Sequence, residues 1–285
     1  MRLACGTLRR ALDASLLTWL PLALFLLVTG LVAGLVGGLL GVGGGIVVVP
    51  VLYQVFGAFG LDPGLRMQMA VGTSLGTIVL TAFRSVQSHR ARGAVDEALL
   101  GSLVVAVLGG VLAGSLVAHH VDGRALSGVF GGVALLVALH MALGREGSRL
   151  RTDFPQGPAR YALGALIGFF SVLMGLGGGT LGVPIFSACG VPIHRAVGTA
   201  AGLGLVIGLP GCLAFAWSGW GAPGRPPLSA GYVSLLGLAA ITPATWLAAP
   251  FGARLAHALP RLWLRRAFAL FLALTAARML DAFRS

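Results

Sequence analysis

A chain of 285 residues that is 57% hydrophobic and only 10% charged lacks the polar surface of a soluble domain, in which about a quarter of residues carry charge. Its formal net charge of +12 comes from arginine alone, set singly or in small groups between apolar segments. That pattern faces anionic lipid headgroups and excludes nucleic acid as a partner. At ~20 apolar residues per crossing the length allows about eight to ten crossings, with no room for a sizeable soluble domain.

In chain order, Arg2, Arg9 and Arg10 precede an apolar run from about Leu16 to Leu40, too long for a signal peptide and read as the first spanning helix. The run Gly43, Gly44, Gly45 then interrupts it. Ile46 to Phe59 follows as a short apolar piece containing Pro50, suited to a half-helix or re-entrant segment. After the turn Leu61-Asp-Pro-Gly64, a span over about Met67–Val86 carries Ala70-Val-Gly-Thr-Ser74. A basic loop (Arg84 to Arg92) leads to spans at about Ala98–Ala118 and Ala125–Leu143. The solvated, proline- and glycine-bearing stretch Arg145–Arg160 joins two halves, residues 1–150 and 151–285.

The second half repeats the plan. Its elements are Tyr161–Met174, a break at Gly177, Gly178, Gly179, an apolar piece over Val183–Gly190, then spans over Ala196–Trp217, Ser229–Pro250 and Leu264–Leu280. Displaced by 134 residues, the glycine runs coincide, as do Pro50 and Pro184. Displaced by 126, Ala70-Val-Gly-Thr73 coincides with Ala196-Val-Gly-Thr199. Displaced by 138, Gly114/Gly252, Phe130/Phe268 and Met141/Met279 coincide. The expected fold is therefore an all-α, multi-pass integral membrane protein with about eight transmembrane helices in two homologous halves, each with a glycine-broken half-helix.

Two topologies compete. If each short piece returns to its own side and the N-terminus is cytoplasmic, the arginines divide 13 inside to 7 outside, in the sense of the positive-inside rule. If the short pieces cross, the halves are inverted and the best division is 12 to 8. The count favours the first, although the group Arg254–Arg266 stands against it.

Glycine costs about 1 kcal/mol in a helix interior and proline ~3, so a glycine run with a following proline, found twice, marks two broken membrane helices. Paired breaks in two halves point to a transporter's binding site. The half-helix after each break starts with free N–H groups and about half a positive charge, which suits a small anion held without ionised side chains. Candidate substrate-binding residues are Gly43, Gly44, Gly45, Pro50, Gly177, Gly178, Gly179 and Pro184. Thr73, Ser74, Thr180 and Thr199 add hydroxyl donors, and His194-Arg195 suits an anion-attracting mouth. The competing reading of the glycines is close helix packing through small-xxx-small spacing.

All eight carboxylates (Asp13, Asp62, Asp96, Glu97, Asp122, Glu146, Asp153, Asp281) fall in loops or at segment ends, so no carboxylate relay crosses the membrane. Cys5, Cys189 and Cys212 are too scattered for a disulfide framework or a metal site. The glycine runs match neither a Rossmann nor a P-loop pattern, and HExxH, CxxC and Ser/His/Asp constellations are missing. No cofactor and no enzyme activity are expected, and no residue pattern sets an oligomeric state.

The doubled Gly-x-Gly-Gly-Gly-x4-Pro, each copy followed by Ala-Val-Gly-Thr, resembles the TauE/SafE family of sulfite exporters over roughly Leu31–Leu280. The resemblance implies a bacterial inner-membrane permease with about eight helices in two repeats. Its substrate would be a small anion such as sulfite, sulfoacetate or a related sulfur oxyanion or organosulfonate. Ala200 replaces Ser74 in the second copy, which breaks the hydroxyl symmetry. The alternative is a membrane-embedded assembly or regulatory subunit whose breaks serve packing only, distinguished by a filled rather than polar contact between them.

Overall fold

The computed structural model describes residues 24–37, 44–143, 154–258 and 261–284. Ten helices lie within them: α1 (Leu24–Gly37), α2 (Gly45–Ala58), α3 (Pro63–Arg90), α4 (Glu97–His120), α5 (Gly123–Leu143), α6 (Pro158–Met174), α7 (Gly178–Ala188), α8 (Ile193–Ser218), α9 (Leu235–Ala258) and α10 (Arg261–Arg284). The protein is an all-α integral membrane protein, and the two helices that follow the glycine runs, α2 and α7, are short, at 14 and 11 residues. Of the long ones, α3, α4, α5 and α8 are each apolar and long enough to cross a bilayer by themselves. Side chains such as Leu112, Leu136 and Leu213 stay exposed, as a lipid-facing surface requires.

Small residues decide which helices touch. A Cβ at Gly30 or Gly34 of α1 would sit 2.6 or 2.5 Å from the Ile241 or Thr245 carbonyl oxygen of α9. Gly110 and Gly114 of α4 lie against Ala165 and Phe169 of α6 in the same manner. In lipid the association gains from close backbone approach rather than from hydrophobic exclusion. Thus α1 packs on α9 and α6 on α4, so the two sequence halves interleave.

The same contacts give helix directions. Along α3, Gly72, Leu75, Ile78 and Ala82 meet Phe215, Gly211, Gly208 and Gly204 of α8, in descending order, so these central helices are antiparallel. Gly128 and Gly131 of α5 meet Phe283 and Leu280 of α10, also antiparallel. By contrast α1 runs parallel to α9, and α9 runs parallel to α3, with Gly237 beside Thr73 and the Arg84 guanidinium over the Trp246 ring at 4.3 Å. Since α1 and α3 point the same way, α2 must carry the chain back between them. The corresponding contacts of α4 with α6 and α8 make α7 do the same. The halves are inverted, and the arginine count that favoured parallel halves is corrected. A 14-residue helix looks too short to cross, and that appearance put the segments bearing Arg195 and Arg225 on the wrong faces, while those bearing Arg84–Arg92 and Arg160 stand on the face where the count put them.

Inversion places the arginine-rich ends together. Arg84, Arg90 and Arg92, Arg160, Arg195 and Arg266 belong to one face, and Arg66, Arg124, Arg225, Arg278 and Arg284 to the other. The first face is the cytoplasmic one by the positive-inside rule.

Two turns bind the halves to each other by the same device. Before α9, residues Ser229–Ala230 and Val233–Ser234 form a small antiparallel hairpin where the sequence suggests helix. Its Tyr232 carbonyl oxygen lies where a Cβ at Gly72 would come within 2.5 Å, and the Ser234 N–H donates to Thr73 Oγ1 at 2.9 Å. Before α4, the Ala94 carbonyl lies against Gly198, with no room for a Cβ, and the Asp96 N–H donates to Thr199 Oγ1 at 3.0 Å. Ser234 and Asp96 then cap their own helices, accepting from the N–H of Gly237 and of Leu99. Gly-Thr in each half therefore clasps the turn of the other half.

Replacing either threonine by valine leaves a backbone N–H without its acceptor, at a cost of about 1–3 kcal/mol. Thr73→Val, whose bond is fully buried, is expected to lower the melting temperature more than Thr199→Val. Equal melting temperatures for both variants and the wild type would dismiss the clasp. Cysteine labelling in a background lacking Cys5, Cys189 and Cys212 checks the inversion. Cysteines at 92 and 160 are expected to share the cytoplasmic face, and one at 224 the opposite face. Labelling of 92 and 224 from one side would restore parallel halves.

Candidate functional site

The second break is fully described. After α6, Gly175 takes the left-handed conformation at φ 65°, and the Leu176 N–H reaches back to the Ser171 carbonyl at 2.8 Å, a Schellman closure that glycine permits. Gly177 is extended and caps α7, while Gly178, Gly179 and Thr180 already form its first turn. The interruption thus spans Gly175–Gly177, two residues earlier than the glycine run suggests. At the first break Gly44, at φ 75°, caps α2, which starts at Gly45; Gly43 lies outside the described residues. Neither cap supplies a side-chain acceptor to the helix start, so the leading N–H groups of both short helices lack that partner.

Pro50 and Pro184 do not end their helices, as both α2 and α7 continue through them. Proline has no N–H to offer the carbonyl four residues back, which leaves the carbonyls of Ile46 and Thr180 without that bond. These carbonyls occupy equivalent places, in the first turn after each break.

The breaks come together between α3 and α8. A Cβ at Gly45 would sit 2.8 Å from the Gly175 carbonyl oxygen and 3.2 Å from Ser74 Oγ; one at Gly175 would meet Val71 and Val49. Ser74 Oγ donates to the Gly175 carbonyl at 2.7 Å, so this hydroxyl fastens α3 to the second break. Across the pseudo-symmetric contact, Gly178 lies against Leu203 and the Ala200 carbonyl at 2.5 and 2.7 Å from its would-be Cβ. Any side chain at Gly178 must displace α8. Among the described residues, backbone, Val49, Val71, Ile78 and Ser74 Oγ occupy the contact between the breaks.

Of the four hydroxyls expected to serve a ligand, three have structural partners: Thr73 and Thr199 in the clasps, Ser74 at the break. Thr180 is different. Its Oγ1 is buried with no hydrogen-bond partner among the described residues, and so is Ser171 Oγ on the α6 side of the same break. They are two of six such hydroxyls, and the two that flank a break. Ser171 escaped the sequence reading because its counterpart 134 residues earlier is Gly37; its signal is its place four residues before the capping Gly175. Arg195 approaches Asp96 at 4.0 Å on the exposed surface, away from the breaks. Among the described residues no cluster of His, Cys, Asp or Glu is arranged to hold a metal.

The family model described as "Sulfite exporter TauE/SafE" matches residues 26–279. A "Probable membrane transporter protein" of Haemophilus influenzae is 32% identical over 239 residues, covering 84% of this chain and 90% of that protein. One of Methanocaldococcus jannaschii is 28% identical over 193 residues, 67% of this chain and 70% of that protein. The similar protein YunE of Bacillus subtilis is 26% identical over 247 residues, 80% and 86% of the respective chains. No solved structure matches. With the model covering nearly the whole chain, breaks and clasps included, this membrane transporter belongs to the sulfite exporter TauE/SafE family.

Proposed function

We propose that the chain is a permease or exporter for a small anion of the sulfite, sulfoacetate or related organosulfonate class, working in the bacterial inner membrane. In this reading the two repeats, 1–150 and 151–285, each contribute one half-helix start to a shared anion cradle of Gly43–Gly45, Gly177–Gly179 and Thr180, with Pro50 and Pro184 shaping the half-helices. The single observation supporting it is that the start of α2 lies against Gly175 at the second break, where neither short helix has a side-chain cap, beside buried hydroxyls that lack partners and with no carboxylate in contact among the described residues. A helix start offers N–H groups and partial positive charge to an anion; a cation would meet the wrong sign. Ser171 joins the cradle as a second donor.

One observation favours the packing-only alternative, an assembly or regulatory subunit: the breaks are in close contact. A transporter reaches such a contact whenever its site is closed and empty, and opening must then separate α2 from Gly175. Flux decides between them.

The experiment is uptake and efflux in liposomes with a panel of small anions and cations. Flux of sulfite or an organosulfonate without cation flux is the expected result; no flux of any ion, or cation flux alone, rejects the proposal. Thr180→Val sharpens it, because valine copies the shape and removes a hydroxyl whose burial is uncompensated. The variant is expected to melt at or above the wild-type temperature. It should also weaken apparent anion affinity by about 1–3 kcal/mol, equally at low and high salt. Unchanged affinity would take Thr180 out of the cradle. Gly182→Ala, whose Cβ meets Ala200 at an ordinary 3.4 Å, serves as the control with wild-type flux.

A further inference from the structure

On the face opposite the arginine-rich ends, a cavity of about 390 Å³ opens between the end of α2, the start of α3 and the end of α10, lined by Tyr53, Gln54, Arg66, Arg278 and Asp281. We propose that it is a second, peripheral binding site for a small oxyanion, held between the Arg66 and Arg278 guanidinium groups.

Two arginines from helices more than two hundred residues apart in sequence converge here, and each is positioned by a neutral partner. Arg66 Nε donates to the Leu61 carbonyl at 2.7 Å, and its Nη1 lies over Gly57, 3.2 Å from where a Cβ would stand. Arg278 Nη1 donates to Gln54 Oε1 at 3.2 Å. Neither guanidinium has a carboxylate within 4.0 Å among the described residues, although Asp281 lines the same cavity. Two oriented guanidinium groups, neither paired with the nearby Asp281 carboxylate, match the several oxygens of a compact oxyanion, which can take bidentate hydrogen bonds from each. The Tyr53 hydroxyl supplies a further donor.

The fold does not demand these arginines. At the pseudo-equivalent positions of the other half stand Pro192 for Arg66, His140 for Arg278 and Ser187 for Tyr53. The positive-inside rule does not ask for them either, since this is the face with fewer arginines. The cavity also borders the last turns of α2, whose first turn is the break at Gly45, roughly 12 Å away along the helix from Tyr53. Only this last point, the placement of the cavity on a substrate route, rests on the permease reading.

The test is titration calorimetry of the purified full-length protein in nanodiscs with sodium sulfate and sodium sulfite at two ionic strengths. Saturable binding is expected in the wild type, weakened at least tenfold in Arg278→Gln and in Arg66→Gln. Asp281→Asn, which removes the like charge from the cavity, is expected to tighten binding several-fold. Among the described residues Arg278 bonds only the exposed Gln54, so its variant reads binding free of folding effects; wild-type elution and tryptophan emission verify this. The inference is overturned if the wild type binds neither anion, if Arg278→Gln binds as the wild type does, or if Asp281→Asn fails to tighten binding. Arginine-dependent binding with no anion flux in liposomes would sustain this site while rejecting the permease reading.

Discussion

In a bilayer core no water relieves an unpaired backbone N–H, so a chain that turns inside the protein must find its acceptors there. The two Gly-Thr clasps meet that demand. Each turn leading into α4 or α9 lays its carbonyl over a glycine and its N–H on a threonine of the opposite half. Other N–H groups of the turns find acceptors in their own half, as Tyr232 does at the Phe215 carbonyl and Ala94 at the His89 carbonyl, so the clasps supply what the local chain leaves over. Each pairing also sits at an end of the antiparallel α3–α8 contact, so the central register and the clasps constrain one another. With that register held, α7 lies on Ala200–Gly204 of α8 and α2 on Ser74–Ile78 of α3. The breaks have no other place to meet.

Much of this was legible in the residues, and the reasons for the rest are physical. Doubled glycine runs, matched prolines and apolar segment lengths indicate ten helical pieces with two short ones; α3 to α6, α8 and α10 follow within four residues at each end, whereas α7 starts five residues earlier than expected and α9 lies six to eight residues later. Hydropathy cannot say whether a short apolar piece returns or crosses, and one wrong parity reverses every later helix. The direction is recorded instead in pairwise contacts, such as Leu75 with Gly211. The hairpin before α9 was read as helix because Val233–Ser234 is apolar enough to extend the span. What overrides it is tertiary: the Tyr232 N–H donates to the Phe215 carbonyl and the Ser234 N–H to Thr73.

The place of the candidate site was legible in outline. Glycine and proline at matched positions locate the breaks, because these two residue types have the lowest intrinsic helix propensity. Hydroxyl roles were not legible, since a threonine in Ala-Val-Gly-Thr looks the same whether it waits for a ligand or accepts from a distant N–H. The discriminating fact for Thr73 is a donor 161 residues away. Thr180, whose Oγ1 has no partner among the described residues, carries the very carbonyl that Pro184 strips of its helical bond.

Where the halves diverge is as informative as where they agree. The constraints of the inverted pair are met by residues present twice: the capping glycines, the prolines, the Gly-Thr clasps. Residues present once answer to something other than the shared fold. Ser74 has Ala200 as its counterpart, Thr180 has Ile46 and Ser171 has Gly37, so the polar lining of the central contact is lopsided, with Thr180 and Ser171 both on the second half. In a strictly symmetric inverted pair, conformations open to the two faces would have equal free energy. Each unmatched hydroxyl lifts that degeneracy, because a buried hydroxyl gains or loses on the order of 1 kcal/mol with its hydrogen bond. Ser74 illustrates the sign: its bond to the Gly175 carbonyl exists only while α3 and the second break are in contact. That bond stabilises the closed contact, and the second half has no hydroxyl at Ala200 with which to oppose it. The unmatched Ser74 therefore favours the contact present in this structure, while the matched residues hold the architecture.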